Sequence, residues 1–457
     1  MARAKKEAAL TPEERLQAAL VPDWEWPYKL PENWCWTRIG MVSNFERGIT
    51  FPAAAKEAAP TEDNIPCLRT ANVQENLEID DMIYVNRDFM KGNIAKLVRE
   101  NDIIMSSANS RELVGKSSLV THIPFPMTFG GFVLNIRAKE MSSKYLFYFL
   151  RHEFLAGKFI GESSQTTNIA NINTTTLGNY EIPLPPLPEQ QRIVDRIESL
   201  FAKLDEAKEK AQAVLDSFET RKAAILHKAF TGELTAKWRE EHGVSIDNWK
   251  TTRFDSVAAI RSNLVDPAEY QSFPHIAPDN IEKKTGVLLE YHTIAEDGVT
   301  SGKHRFYSGQ ILYSKIRPYL SKVVVVDFDG LCSADMYPIE AYQNARCLWY
   351  YMLSDEFLLQ ASTAGSRSVL PKINQKELSA LTVHLPTNDR EQEEIARILD
   401  ELFDKEQQTK EAAEIVLDQI ELMKKSILAR AFRGELGTND PNEESAVELL
   451  KEIIRRG

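Results

Sequence analysis

The chain has 457 residues, 43% of them hydrophobic, and a formal net charge of −12 at pH 7. That length is enough for two or three folded domains. The four cysteines show no C-x-x-C spacing, which argues against a zinc ribbon or a disulfide framework. No apolar run approaches the roughly 18 residues needed to cross a bilayer, and the N-terminus lacks the apolar core of a signal peptide. A reducing cytoplasm is the expected location.

The acidic charge is unevenly distributed along the chain. Residues 387–457 hold 18 acidic and 11 basic side chains, whereas the remaining residues are closer to neutral. A protein that held DNA alone, through phosphate contacts, would be more basic. If DNA is the ligand, we expect partner subunits to supply much of the positive charge.

Residues 1–21 form the first predicted segment. Thr11-Pro12-Glu13-Glu14 is a capping box with proline at the first helical position, which predicts a short helix through Leu20. The segment is either an adaptor for a partner or a loosely ordered tail.

Two globular domains then alternate with two helical segments. Residues 22–185 (domain 1) and 237–386 (domain 2) share motifs, because Asn101-Asp-Ile-Ile-Met-Ser106 aligns with Gly309-Gln-Ile-Leu-Tyr-Ser314. Short apolar runs predict strands at 103–105, 311–313 and 322–326, and longer ones predict helices at 145–159 and 347–360. The sequence therefore predicts two similar α+β (mixed α/β) domains with a shared framework and different loops.

The segments 186–236 and 387–437 are predicted to be long helices. Lys222–Leu234 matches Lys424–Leu436 almost residue for residue at a shift of 202. Prolines before each segment and a glycine after it, Gly232 or Gly434, fit the two ends of a helix. Heptad spacing predicts a coiled-coil seam, and antiparallel pairing would give an internal pseudo-two-fold repeat. The predicted seam residues are Ile193, Ile197, Leu200, Leu204, Ala211, Phe218, Ile395, Leu399, Leu402, Val416, Ile420 and Ile427, with Met423 on the same ladder. The alternative is that each helix is buried separately in its own domain.

Residues 438–457 are an acidic tail. Its apolar residues, among them Leu450 and Ile453, have helical spacing. The spacing predicts a short amphipathic helix that docks on a partner or on the long helices.

The repeated motifs are similar to those of a known family. Ile182-Pro-Leu-Pro-Pro-Leu-Pro-Glu-Gln-Gln-Arg-Ile-Val194 leads into a long helix that ends Ala229-Phe-x-Gly-Glu-Leu234, and the pattern recurs after domain 2. This arrangement resembles the DNA-specificity subunit of type I restriction-modification systems, over essentially the whole chain. The second copy departs from the first at Leu385-Pro-Thr-Asn-Asp-Arg-Glu391, where prolines are fewer.

The resemblance implies a non-catalytic subunit. Each domain would be a target-recognition domain that reads one half of a bipartite site in double-stranded DNA, and the paired helices would space the two halves. Two methyltransferase subunits that use S-adenosylmethionine would dock on it, together with restriction subunits that use ATP and Mg²⁺. No cofactor, no metal and no catalytic residue are then expected in this chain.

The residues themselves show no catalytic signature. There is no N-P-P-[FY] or D-P-P-[FY] motif and no glycine-rich cofactor loop. Gly115-Lys116-Ser117 resembles the end of a phosphate-binding loop, but Ser110 stands where the first glycine belongs. We therefore interpret it as a turn, either on the surface or presenting Lys116 to a DNA backbone.

Polar clusters that interrupt the shared framework are the candidate DNA contacts. Arg, Lys, Asn, Gln, Ser and Thr are the side chains that read base edges or hold phosphates. Any one cluster could equally be a solvated loop. The candidates are Arg47, Arg69, Thr70, Asn72, Ser107, Asn109, Arg111, Lys116, Gln165, Thr166 and Asn168 in domain 1, and Arg261, Asn263, Asn280, Lys315, Arg317, Tyr319, Lys322, Ser366 and Arg367 in domain 2.

Two other interpretations remain open. One is a specificity subunit of a methylation-only or related phage-defence complex that has no cutting partner. The other is a structural coiled-coil scaffold with two protein-binding heads. The scaffold would show no sequence-selective DNA binding even when its partners are present.

Overall fold

The computed structural model describes residues 11–162, 164–166, 169–364 and 371–456. The chain divides into unit 1, which is Met1–Glu209 with Val416–Gly457, and unit 2, which is Lys210–Ile415. Each unit combines one globular domain with parts of both long helical segments. The repeat seen in the sequence is therefore also a repeat of structure.

Domain 1 and its flanking helices contain most of the elements of unit 1. In chain order these are α1 Pro12–Ala19, β1 Cys35–Arg38, α2 Ile39–Val42, β2 Ser43–Arg47, β3 Asn64–Leu68, β4 Ile83–Asn86, β5 Ile103–Ser106, β6 Ala108–Asn109, β7 Ser117–Leu119, β8 Thr128–Phe129, β9 Val133–Ala138, α3 Ser143–Leu155, α4 Lys158–Glu162, β10 Ser164–Thr166, β11 Ile169–Asn171, α5 Thr174–Gly178, β12 Glu181–Leu184 and α6 Leu187–Asp216.

Domain 2 repeats the scheme, and the last helix returns to unit 1. The elements are α7 Phe218–Phe230, α8 Ala236–His242, β13 Trp249–Arg253, β14 Ala258–Ile260, β15 Leu264–Val265, β16 Pro274–Ile276, β17 His292–Thr293, β18 Lys303–Phe306, β19 Ile311–Ser314, β20 Val323–Val325, β21 Gly330–Cys332, β22 Met336–Ala341, α9 Ala345–Met352, α10 Asp355–Ala364, α11 Gln375–Ala380, β23 Thr382–Pro386, α12 Asp389–Phe432 and α13 Ala446–Arg456.

The central sheets have the same strand order in both domains. The order is β2-β9-β5-β7 in domain 1 and β14-β22-β19-β20 in domain 2, all antiparallel. Ile103 and Met105 belong to a core shared with the helices, whereas Ile104 belongs to a second core on the other face. Successive side chains of a strand point to opposite faces of the sheet. A strand whose sheet is buried on both faces is therefore apolar at consecutive positions. Each domain thus has an inner lobe next to the helices and an outer lobe beyond the sheet.

The two predicted apolar helices are each interrupted. Domain 1 has α3 and α4 in place of one helix over 145–159, with Gly157 between them at φ +70°. Domain 2 has α9 and α10 in place of one helix over 347–360, where Ser354 caps the second piece by accepting the Phe357 N–H. A left-handed glycine ends a helix, and an N-capping serine begins a new one.

The long helices pair antiparallel, as predicted, within each unit. In unit 1, Lys208 Nζ donates to Glu421 Oε1 at 2.9 Å. In unit 2, Arg221 Nε donates to Glu406 Oε2 at 2.8 Å. Residue numbers rise on one helix as they fall on the other, which is the mark of an antiparallel pair.

The seam is partly different from the predicted one. Ile193, Ile197, Ala211, Ile395, Leu399 and Ile420 are buried, and Leu200, Leu204, Phe218, Leu402 and Ile427 are half-buried. Val416 and Met423, in contrast, are 41% and 44% exposed, so their assignment to the seam was wrong. The buried positions near them include Ala413, Ile420 and Lys424, so a lysine is buried next to the predicted seam residue Met423.

The first long helix has a break that the second lacks. α6 ends at Asp216 and α7 begins at Phe218, whereas α12 runs for 44 residues. Ser217 Oγ donates to the Ala213 carbonyl at 2.7 Å. Hydroxyl back-bonding of this kind bends a helix. The predicted continuity is therefore correct for α12 and wrong for the first segment.

The terminal helices α1 and α13 form as predicted and pack on domain 1. The capping box of Thr11 and Glu14 is present. Leu450 and Ile453 of α13 lie in the inner core with Ala19 of α1. The acidic tail thus packs on the domain and on the long helices, where Glu443 pairs with Arg192 of α6 at 2.7 Å. Among the described residues, no helix is both long and apolar enough to span a membrane.

A half-buried histidine beside the inner core of unit 1 predicts acid sensitivity. The His152 ring stacks on Phe432 with 5.6 Å between ring centroids. Burial, together with the charges of Arg433 and Lys158, lowers the pKa of His152 to about 4 from 6.5. The folded state keeps the ring neutral while the unfolded state takes up a proton below pH 6.5. Stability is therefore lost as the pH falls from about 6.5 toward 4.

We expect the free energy of unfolding of unit 1 to fall by about 1 kcal/mol from this group between pH 7.5 and 5.5. Urea denaturation at the two pH values, followed by hydrogen exchange in unit 1, measures the loss. His152→Gln should remove that share of the pH dependence. His122→Gln is the control, since the His122 side chain is 75% exposed. Equal pH dependence in the wild type and His152→Gln would contradict the assignment.

Candidate DNA-binding surface

In domain 1, two of the predicted polar clusters meet on one surface. The loop after β5 carries Ser107, Asn109 and Arg111, and β6 within it pairs with β11, so that Asn109 lies opposite Ala170. β11 in turn pairs with β10, whose backbone runs from Ser164 to Thr166. The structure therefore brings the cluster of residues 107–111 beside the paired strands 164–166 and 169–171.

Domain 2 repeats this juxtaposition after its own central strand. The Arg317 N–H donates to the Pro371 carbonyl at 2.8 Å, and the Ile373 N–H donates to the Lys315 carbonyl at 2.9 Å. The loop of residues 315–317 thus lies beside residues 371–373, as its counterpart does in domain 1. The side chains of Gln165 and Thr166, and the whole of Asn168, Ser366 and Arg367, lie outside the described residues.

Two residues that were predicted to read bases, one in each domain, close a turn of the protein. Asn72 is 2% exposed, accepts the Arg69 N–H and donates to the carbonyls of Glu78 and Asp81. Asn280 accepts the Ala277 N–H and donates to the Glu290 carbonyl. Since these amides already have protein partners on both oxygen and nitrogen, we assign them to loop structure. A turn-closing asparagine looks like a polar loop residue in sequence, which is why both residues were predicted to read bases.

Several predicted cations are tied to neighbouring groups. Lys315 Nζ donates to the Ala334 carbonyl at 2.5 Å, and Lys322 Nζ donates to the Pro278 carbonyl at 2.7 Å. Lys116 bonds to Gln74, Arg69 to Asp81 and Arg261 to Glu340. The arginine pairs are solvent-exposed enough to exchange for phosphate contacts, because exposed ion pairs are weak. Lys322, with a side chain only 15% exposed, is a structural residue.

Five of the remaining candidates present exposed side chains, whereas Thr70, Ser107 and Asn109 are half-buried. Arg47, Arg111, Asn263, Arg317 and Tyr319 are exposed. Arg317 has a left-handed backbone with φ +48°, and Ser321 just beyond it has φ +46°. A non-glycine residue in this region is strained by about 1–3 kcal/mol, and such strain clusters at functional sites. Arg317 is therefore the strongest single candidate in domain 2.

An open cavity of about 490 Å³ lies beside the candidate residues Arg69 and Thr70 of domain 1. Its walls include Phe51, Ile83 and Phe132, and the Phe132 side chain is 65% exposed. Phe132 was not among the predicted site residues, although an aromatic residue directly after Gly130-Gly131 is a signal for an exposed ring on a turn. An apolar wall beside an arginine and a threonine suits a base edge with a methyl group.

The structure assigns the apparent phosphate-binding motif to a turn. Gly115 has φ +87°, and a Cβ there would lie 2.4 Å from the Phe159 ring. The glycine is needed for close packing in the protein. No group of His, Cys, Asp or Glu that could hold a metal occurs in the described part of the chain.

Comparison with known proteins decides which family this fold and surface belong to. The family described as type I restriction modification DNA specificity domain matches residues 31–215 and 246–416. The chain belongs to this family. It is a type I restriction-modification specificity subunit with two recognition domains, in agreement with the sequence prediction.

Individual relatives of this specificity subunit agree with the assignment. The Escherichia coli EcoDI specificity subunit is 38% identical over 68% of this chain and 76% of its own length. The EcoKI specificity subunit of Escherichia coli strain K12 is 26% identical over 93% of this chain and 96% of its own.

Solved structures share the fold. One comes from a study of complex assembly and conformational transition in a type I restriction-modification system, with a TM-score of 0.66 and 18% identity. The HsdS subunit from Thermoanaerobacter tengcongensis has a TM-score of 0.59 and 18% identity. Each comparison covers 90% of this chain and all of the other.

Proposed function

We propose that this specificity subunit reads a bipartite site in double-stranded DNA, with one half-site for each recognition domain. The observation that carries the proposal is the repeated surface. In both domains the loop after the central strand lies beside the segment that precedes the last short helix. Two similar readers in one chain suit a target with two halves.

The proposed partners are two methyltransferase subunits and, for cutting, restriction subunits. The chemistry would belong to these partners, with S-adenosylmethionine bound by the first kind and ATP with Mg²⁺ by the second. This chain would contribute recognition and assembly without a catalytic residue or cofactor of its own. Its net charge of −12 supports the need for partners, because DNA binding at physiological salt depends on positive charge. We place the complex in the cytoplasm.

Single-molecule sequencing of host DNA tests the proposal. A strain that expresses this chain with the methyltransferase encoded beside it should carry methyladenine in both halves of one split motif. The mark should disappear when this chain is deleted and return when it is restored. A host with active methyltransferase and this chain, but with unmodified DNA, would contradict the proposal and favour the protein-binding scaffold.

A partner-resolved assay separates the two kinds of complex. ATP-dependent cleavage of unmethylated DNA by the purified assembly would indicate a restriction partner. Methylation without cleavage in the presence of every neighbouring gene product would identify a methylation-only complex.

A further inference from the structure

Two buried lysines occupy the same place in the structural repeat. Lys222 of α7 and Lys424 of α12 are 202 residues apart, and they are 8% and 4% exposed. Lys222 Nζ lies 5.9 Å from the centroid of the Phe403 ring, and Lys424 Nζ lies 5.3 Å from that of Phe201. The phenylalanines are also 202 residues apart. Each lysine thus lies over an aromatic ring of the opposite long helix in its own unit.

In unit 1 the lysine reaches from the long helix to the outer lobe. Lys424 Nζ is 2.5 Å from Asp205 Oδ1 on α6 and 4.0 Å from Glu75 Oε1. Glu75 follows the turn that Asn72 closes, and its carboxylate also accepts a bond from Arg151 Nη2 at 2.5 Å. The carboxylate of Glu75 therefore lies near two cations, Arg151 of the domain and Lys424 of α12.

The contacts of Glu75 span a cleft of about 520 Å³ that is lined by Thr121, Tyr148 and Phe201. Burial acts to raise the pKa of Glu75, but the hydrogen bond and charge of Arg151 and the charges of Lys424 and Lys208 lower it overall. The carboxylate is charged at neutral pH, and the bridge across the cleft is ionic.

In unit 2 the equivalent lysine reaches the equivalent loop. Lys222 Nζ donates to the Lys284 carbonyl at 2.5 Å. Lys284 follows the turn that Asn280 closes, and it has a left-handed backbone with φ +64°. The Lys284 N–H donates to the Leu320 carbonyl at 3.1 Å, and the Leu320 N–H donates to the Arg317 carbonyl at 2.9 Å. Direct hydrogen bonds therefore connect the long helix to the strained turn that presents Arg317.

A lysine is an unfavourable choice for these positions unless its charge has a role. Burial lowers the pKa of Lys222, which reflects the cost of removing an ammonium group from water. A methionine or leucine would fill the same space without that cost. Lys222 donates to a backbone carbonyl of the outer lobe. Lys424 pairs with Asp205 of α6 and also lies 4.0 Å from the Glu75 carboxylate of the outer lobe.

We propose that Lys222 and Lys424 are positioning residues that fix the reading loops of each recognition domain on the long helices, and thereby enforce the gap between the two half-sites. The inference rests on the proposed bipartite reading of DNA. Neither lysine reads a base. Their loss should leave the preferred half-sites unchanged and weaken the preference for one spacing, since each outer lobe can then shift on its inner lobe.

The test uses the full chain assembled with its methyltransferase partner and a set of duplexes. The half-sites stay constant while the gap varies by one and two base pairs on either side of the optimum. A second set keeps the gap and alters one half-site. For Lys424→Met and Lys222→Met we expect discrimination between gaps to fall by about tenfold, the loss typical of one charged hydrogen bond. Discrimination between half-sites should remain that of the wild type.

Two further variants keep the test decisive. Lys425→Met removes the same charge from an exposed position next to Lys424 on α12, and it should behave as the wild type. Glu75→Gln changes an exposed loop residue, so it avoids the seam, and it should reproduce part of the effect of Lys424→Met.

Gap discrimination in Lys222→Met and Lys424→Met equal to that of Lys425→Met would overturn the proposal. So would parallel loss of gap and half-site discrimination, because that result indicates general loosening of the fold. A wild-type complex with no preferred gap would instead contradict the bipartite reading, which is a separate failure.

Discussion

Glu391→Ala is expected to destabilise unit 2 by roughly 3–5 kcal/mol, the range for breaking a buried ion pair by removing one partner. The Glu391 side chain is fully buried at the start of α12. Its carboxylate accepts bonds from Arg239 Nη1 at 2.7 Å, Thr235 Oγ1 at 2.9 Å and Trp249 Nε1 at 3.0 Å. Alanine would leave the Arg239 guanidinium, whose side chain is 10% exposed, without its counter-charge.

The repeat supplies a matched comparison for this prediction. Glu189 is the residue 202 positions earlier, is also fully buried, and pairs with Arg192 at 2.8 Å. The Arg192 side chain is 38% exposed and keeps a second partner, Glu443. Glu189→Ala should therefore cost less than Glu391→Ala, because water and Glu443 can still satisfy the arginine.

Chemical denaturation with hydrogen exchange resolved by unit measures both losses. Glu401→Ala serves as the surface control on α12, since Glu401 forms an exposed pair with Arg397 and exposed pairs contribute about 0–1 kcal/mol. Removing Arg239 as well should recover part of the stability. The assignment fails if Glu391→Ala and Glu401→Ala have the same unfolding free energy.

Regular patterns in the sequence predicted the elements and the repeat. The 202-residue shift, the capping box at Thr11 and the apolar runs at 103–105 and 311–313 each report a local periodicity, and the structure confirms the elements. The break at Ser217 was missed because one back-bonding hydroxyl leaves the periodicity intact. Val416, which is exposed, was misassigned because apolar spacing does not identify which of two adjacent rows of residues on a helix faces the partner helix.

The polar site was less predictable because its contacts are remote in sequence. Asn72 and Lys322 look like loop residues available to a ligand until their carbonyl partners are known. The buried lysines had a sequence signal, since Lys222 and Lys424 begin the motif that repeats at a shift of 202. Lys222 also lies four residues after Phe218 on the same heptad ladder. A lysine on a seam is usually interpreted as part of a solvated face, which concealed its role.

Arg317→Ala is expected to weaken binding of the complex to its target by about 1–3 kcal/mol if the guanidinium reads a base. The side chain is exposed on a loop that lies beside residues 371–373, at the repeated surface of domain 2. Base reading would relax specificity at one position of one half-site. If Arg317 contacts a phosphate instead, its loss would weaken binding to all DNA sequences equally. The slope of log affinity against log salt concentration would then fall by about one.

Binding titrations on the target and on single-base variants of each half-site, at two salt concentrations, distinguish these roles. Arg253→Ala is the control, because Arg253 is an exposed arginine of the same domain that pairs with Asp255. Affinity and half-site preference equal to those of the wild type would show that Arg317 does not contact DNA.

Glycine at the same position separates binding from backbone strain. Arg317 is left-handed at φ +48° and precedes Pro318, and both features disfavour a residue with a Cβ. Arg317→Gly and Arg317→Ala should lose the same DNA affinity, because neither has a guanidinium. Arg317→Gly should nevertheless be more stable than Arg317→Ala by about 1 kcal/mol, since it relieves the strain. Such a pair of results would show that the fold accepts local strain at this turn in order to present one arginine to DNA.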